Sequence, residues 1–206
     1  MSNNEILILK KKLLATGIRI GTQVKTKFMK QFITKANPEG LYMLNMNLIL
    51  ERIQIAAKFI NRITPEKIIV CSGKEYAITP IEMFCELTGA KKILGRFMPG
   101  TLTNPSLPYY IEPKLVLISD PQIDIQAIRE ATNAGIPVIG IANTDNITSN
   151  VDLIIPANNK GRKSLATIYW LLTQEVLLNT GKLSHNEKMK YEIDDFETKT
   201  IGDDVN

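Results

Sequence analysis

Between residues 47 and 182 the chain alternates unbroken apolar runs with apolar stripes at helical spacing, and that grammar narrows its possible folds more than any other feature. The runs are Ile68 to Cys71, Ile93-Leu94, Leu115 to Ile118, Val138 to Ile141 and Leu153 to Ile155. A strand with one wet face alternates apolar and polar residues; these do not, so both of their faces must be covered, as in a parallel sheet. The stripes are Ile49, Ile53, Ala56, Ala57 and Ile60, then Leu165, Ile168, Tyr169, Leu172 and Val176. Two further helices are marked by their punctuation. Thr79 reads as an N-cap, with Pro80 at the first helical position, Glu82 closing a capping box and Gly89 past the end. Ser119 or Asp120 then caps the next, Pro121 opens it, Ile125, Ile128 and Ala131 form its buried stripe, and Gly135 ends it. Strands joined by crossover helices predict an α/β fold, a three-layer α/β/α sandwich on a parallel, doubly wound sheet. Ahead of it, residues 4 to 16 read as a helix, and Phe32 to Lys35, the turn Asn37 to Gly40 and Leu41 to Asn45 as a hairpin. The expected organisation is a basic arm over residues 1–46 packed on the main domain, the α/β domain over 47–182, and a disordered acidic tail over 183–206.

A fold of this kind often carries an enzyme, but the residues that enzymes need are scarce. His185 is the only histidine, which disfavours imidazole-centred catalysis and histidine-ligated zinc. Cys71 and Cys85 lack Cys-x-x-Cys spacing and read as buried packers. No G-x-G-x-x-G occurs, and Ser72-Gly73-Lys74 fails the phosphate-loop template because position 68 is Ile and position 75 is Glu. Asp120 and Asp145 follow strands, where carboxylates can hold Mg²⁺, yet a helix cap and a turn account for them without a ligand. No catalytic residue, metal or cofactor is therefore assigned. No run approaches the roughly 18 apolar residues of a membrane span, and Ile6 to Leu9 is broken by Lys10, Lys11 and Lys12. The chain reads as soluble and cytoplasmic.

Charge points to a partner. Against a net +4 for the whole chain, residues 1–35 hold Lys10, Lys11, Lys12, Arg19, Lys25, Lys27, Lys30 and Lys35 with Glu5 as the sole acid, a local net of +7. A basic arm on a globular body favours a polyanion, either nucleic acid or an anionic membrane surface; the bland alternative is a solvated lysine-rich face. The arm lacks the aromatic and aliphatic face of an interfacial helix, which disfavours the membrane. The last 24 residues carry seven acids against three lysines, and their apolar residues are sparse.

Two loops add to this. Gly95 to Pro108 holds three prolines and two glycines and is expected to expose Phe97, Met98 and Leu102 for docking beside Arg96. In Pro156 to Lys163, Asn158 or Asn159 is expected to cap the last helix, placing Lys160, Arg162 and Lys163 against the positive end of its dipole. That arrangement calls for an anion from outside, such as a phosphate held by the free N–H groups and these cations.

Several segments carry a resemblance. Leu13 to Gln23, Gly95 to Pro105, Ser119-Asp120-Pro121, Asn143 to Asn146, Asn150 to Asp152 and Ile155 to Gly161 resemble, in order, the signatures of the small-subunit ribosomal protein S-two family, whose eukaryotic branch is laminin-receptor-like. The match runs over about residues 8–182 and looks archaeal, without the coiled-coil insertion of the bacterial branch or the long tail of the eukaryotic one. One departure is Arg19, where the family commonly has histidine in a Gly-x-His-x-Gly pattern. The resemblance implies a flavodoxin-like scaffold that is not an enzyme. It implies a structural constituent of the small ribosomal subunit, lying between head and body near the messenger exit. The implied partners are small-subunit (16S) rRNA and neighbouring ribosomal proteins, with no membrane and no small-molecule substrate. The candidate rRNA contacts are the eight cations of residues 1–35 with Arg96, Lys160, Arg162 and Lys163. The alternative is a phosphate-binding enzyme, an isomerase or phosphotransferase, on the same fold.

Overall fold

Every apolar run forms a strand. The computed structural model describes residues 12–184 and 189–199. A helical turn at 12–15 and a 3-10 turn at Met29–Phe32 lead into an antiparallel hairpin of β1 (Ile33–Ala36) and β2 (Tyr42–Leu44). There follow α1 (Met46–Ile60), β3 (Ile68–Ser72), α2 (Ile78–Thr88), β4 (Lys91–Leu94), β5 (Leu115–Ile118), α3 (Ile125–Asn133), β6 (Val138–Ala142), β7 (Leu153–Pro156) and α4 (Arg162–Asn179). The five strands β3 to β7 form one parallel sheet in the order β4-β3-β5-β6-β7, the flavodoxin-like order.

The two faces are covered differently. Ile68, Val70, Leu115, Leu117, Ile139 and Ile141 pack under α1, α2 and α4 in the larger core. Ile69, Cys71, Val116, Ile118 and Val138 form a smaller core with Ala127, Ile128 and Ala131 of α3. A nine-residue helix cannot cover that face alone. The loop after β4 covers the rest, burying Phe97 and Leu102 in this second core. The docking role expected of those two residues is thereby corrected, because a two-sided sheet needs them inside; only Met98 of the three is exposed. Glu130 of α3 fixes the loop in place, accepting from the Gly100 and Leu102 N–H groups at 2.8 and 3.1 Å. Its burial alone would raise its pKa, but the Gln126 amide and these backbone donors hold it below the ordinary value.

Three helix starts differ from expectation. Thr79 does not cap α2, because a 3-10 turn over Glu75–Ala77 runs straight into it and Ala77 takes that place, leaving Pro80 in the first turn. Gly89 does end α2, in the left-handed region at φ 89°. Neither Ser119 nor Asp120 caps α3, which begins after Asp124; Ile125 is consequently exposed, and Ala127, Ile128 and Ala131 carry the buried face. Gly161, with neither Asn158 nor Asn159, precedes α4.

The terminal segments also dock. Leu13, Ile18 and Met29 are fully buried in the larger core. Near the other end, the 3-10 turn Ile193–Phe196 packs on α4 with Phe196 at 0% exposure, and Trp170 Nε1 donates to the Tyr191 carbonyl at 2.8 Å. The disorder expected of the acidic tail is corrected for residues 189–199: a few well-spaced apolar residues suffice when they enter an existing core. Among the described residues, no helix is long and apolar enough to cross a membrane.

Candidate nucleic-acid interface

Doubly wound sheets hold ligands at the carboxyl ends of their strands, so that edge decides whether chemistry is possible here. It is filled by the chain's own polar groups. Lys74, just beyond β3, donates to Asp120 Oδ2 and to the Asn159 carbonyl, both at 2.7 Å. Asp120 Oδ1 accepts from the Gln122 N–H at 3.0 Å and from Asn146 Nδ2 at 3.3 Å. Asn159, wholly buried, donates to Asn146 Oδ1 at 2.9 Å and to the Ile141 and Ser119 carbonyls at 3.2 and 3.3 Å, tying β5, β6 and β7 together at one atom. Asp124 accepts from the Gly73 N–H at 2.7 Å and the Asp120 N–H at 3.3 Å, while burial pushes its carboxyl up to about 6. A lysine thus occupies the position where a phosphate or Mg²⁺ would stand in an enzyme of this architecture. Among the described residues, no three His, Cys, Asp or Glu side chains are grouped to hold a metal.

A strap formed by residues 17–26 closes the same edge from outside. Asn158 donates its N–H to the Ile18 carbonyl at 2.8 Å and its side-chain amide to the Gly17 carbonyl at 3.1 Å. Thr144 Oγ1 accepts from the Thr22 N–H at 2.9 Å, and the Thr144 carbonyl accepts from the Thr26 N–H at the same distance. The fit requires glycine at position 21, where a Cβ would stand 2.5 Å from Thr144 Cγ2 and 2.7 Å from the Tyr42 carbonyl. Asn158 and Asn159 therefore serve the strap and the sheet edge instead of capping α4.

The expected cations fall into four sets. Lys10 and Lys11 lie outside the described residues. Lys12, Lys25, Lys27, Lys30 and Lys35 are exposed and Arg19 is half-buried; Arg19 and Lys25 belong to the strap, Lys27 and Lys30 follow it, and Lys35 lies in β1. From residue 12 to residue 38 there is no acid, and no described carboxylate lies within 4.0 Å of any of these six. Lys25 instead stands over the Tyr42 ring, 4.5 Å from its centroid.

The α4 group differs. Lys160 Nζ pairs with Asp145 at 2.5 Å, and Arg162 and Lys163 each lie 4.0 Å from a carboxylate oxygen of Glu197. The anion expected from outside is thus supplied in part by the docked tail. Lys160 also precedes the helix, so only Arg162 and Lys163 sit in its first turn. Arg96 follows β4, at the opposite side of the sheet from β7, about 19 Å away by strand spacing. The structure brings the strap, Lys160, Arg162 and Lys163 to one side and leaves Arg96 apart. Sequence reading missed the roles of Lys74, Asp124 and Asn146, whose partners lie on other strands; the one available signal was a lysine and an aspartate at the carboxyl ends of neighbouring apolar runs.

Comparison with known proteins agrees with the resemblance carried by these loops. The family model "Ribosomal protein S2" matches residues 109–178. The chain is 71% identical to "Small ribosomal subunit protein uS2" of Nitrosopumilus maritimus over 96% of its length and 95% of that relative's. The chain belongs to the ribosomal protein S2 family. The S2 protein of Cenarchaeum symbiosum is 60% identical over 92% of this chain and 91% of its own, and that of Ignicoccus hospitalis 51% over 95% and 93%. The family is a structural one, and at the carboxyl edge of the sheet Lys74 is ion-paired with Asp120.

Proposed function

We infer that this chain is a structural constituent of the small ribosomal subunit in translation, part of the cytoplasmic ribosome and not an enzyme. It associates with small-subunit rRNA and other ribosomal proteins, at the junction of head and body near the messenger exit. The stretch from residue 12 to residue 38, which holds no acid, forms its main phosphate-binding surface, through Lys12, Arg19, Lys25, Lys27, Lys30 and Lys35. Lys160, Arg162 and Lys163 add a lesser share because Asp145 and Glu197 already face them. One observation supports this ranking above the rest: six cations have no described carboxylate in reach, whereas Lys74 at the sheet edge is ion-paired with Asp120. Exposed like charges held on a fixed backbone repel one another until a polyanion neutralises them. Such contacts fix position and orientation without reading base identity.

Sucrose-gradient sedimentation of lysate tests the assignment. The chain should travel with the small-subunit peak and leave it as salt rises; a chain that stays at the top of the gradient at low salt contradicts the reading.

A further inference from the structure

Just beyond the strap stands an aromatic that the core leaves half exposed. Phe28 is 51% exposed at the mouth of the 3-10 turn Met29–Phe32. In a 3-10 turn, residues three apart eclipse one another, and here Met29 and Phe32 are the buried pair at 0% and 3% exposure. Phe28 is thereby turned away from the core. Its place is fixed: the Thr26 N–H donates to the Thr144 carbonyl at 2.9 Å, and Thr26 Oγ1 accepts from the Met29 N–H at 3.3 Å. The ring leans on Phe32, centroids 6.0 Å apart at 58°. Around it Lys25, Lys27 and Lys30 are exposed, and no acid occurs between residues 12 and 38.

We propose that Phe28 is a stacking platform for one unpaired RNA base, with Lys27 and Lys30 on the flanking phosphates. The inference rests on the rRNA-binding reading and deepens it, because lysines alone would hold duplex and single strand alike. An anchored, half-exposed aromatic ring among exposed cations is the pairing that single-strand binders use, the ring taking the base and the cations the backbone. The absence of any acid in the segment favours nucleic acid over a protein partner, whose surface would offer charges of both signs.

The test uses the full chain with two probes at fixed salt: a twelve-nucleotide oligoadenylate carrying 2-aminopurine, and a blunt RNA duplex of the same length. Phe28→Ala should weaken oligoadenylate binding about five- to one-hundred-fold and abolish the quenching of 2-aminopurine, with duplex affinity and the salt slope unchanged. Phe28→Tyr should restore both readouts and Phe28→Leu should restore neither. Equal binding by Phe28→Ala and the unaltered chain overturns the proposal. Full rescue by Phe28→Leu overturns it too, because the side chain then acts as a simple apolar contact. Lys27→Gln with Lys30→Gln separates the two readings: weakened affinity for both probes with unchanged Phe28→Ala binding leaves rRNA attachment standing without stacking. No effect from either set of variants removes both.

Discussion

Lys74 holds the carboxyl edge of the sheet by neutralising a carboxylate that is itself 4% exposed. Removing one member of such a pair leaves an uncompensated buried charge, so Lys74→Met should lower unfolding stability by about 3 to 5 kcal/mol. The double variant with Asp120→Asn should recover much of that, and urea unfolding of the single and double variants gives both numbers. Asp124, one turn further on, has its carboxyl raised from 3.8 to about 6 by burial. The folded state therefore binds this proton more tightly than the unfolded state. Its contribution is fully favourable below about pH 4 and is lost as pH rises through 6. Asp124→Asn should remove that falling component from the stability profile between pH 4 and 7; an unchanged profile would mean the group does not titrate there. Gly21→Ala has a simpler basis, since its Cβ would overlap a backbone oxygen at 2.7 Å. A destabilisation of about 1 to 3 kcal/mol is expected by the same urea measurement.

Among elements, the docked segments carry the revision. Phe196 is completely buried on α4, so Phe196→Ala should cost about 3 to 5 kcal/mol, whereas a disordered tail would tolerate it without effect. Glu197 faces Arg162 and Lys163, and Asp145 faces Lys160, so replacing those three cations by Gln removes attraction as well as dipole repulsion. The free protein should then be unchanged or less stable, by under about 1 kcal/mol because the pairs are partly exposed. Truncation of residues 1–31 should unfold part of the main domain, since Leu13, Ile18 and Met29 are core residues and the strap closes the sheet. These elements also separate what a sequence can tell from what it cannot. Apolar runs such as Leu115 to Ile118 were legible because burial on two faces dictates composition directly. Phe97 and Leu102 were not, because their burial depends on α3 being too short for its face. The role of Asn159 was equally hidden: an Asx residue before a helix looks like a cap, and its three acceptors lie on three other segments. The tail misled for a related reason, its anchors being diluted among charges that stay in water.

For the molecule as a whole, the sheet is a scaffold, and the proposed attachment to rRNA is chiefly electrostatic and confined to one side. That distribution predicts unequal salt behaviour for two sets of variants in the full chain. Replacing Lys25, Lys27, Lys30 and Lys35 by Gln should weaken binding to 16S rRNA and flatten the plot of log K against log salt. Each phosphate that is no longer neutralised should reduce the slope by roughly 0.7 to 0.9. Replacing Lys160, Arg162 and Lys163 should change the slope by less, because carboxylates of the same chain already face them. The deciding measurement is this pair of titrations at several salt concentrations. The larger drop in slope is expected from Lys25, Lys27, Lys30 and Lys35; an equal or larger drop from the α4 cations, with the lysine variants of residues 25–35 binding as the unaltered chain does, would contradict the proposed distribution of contacts.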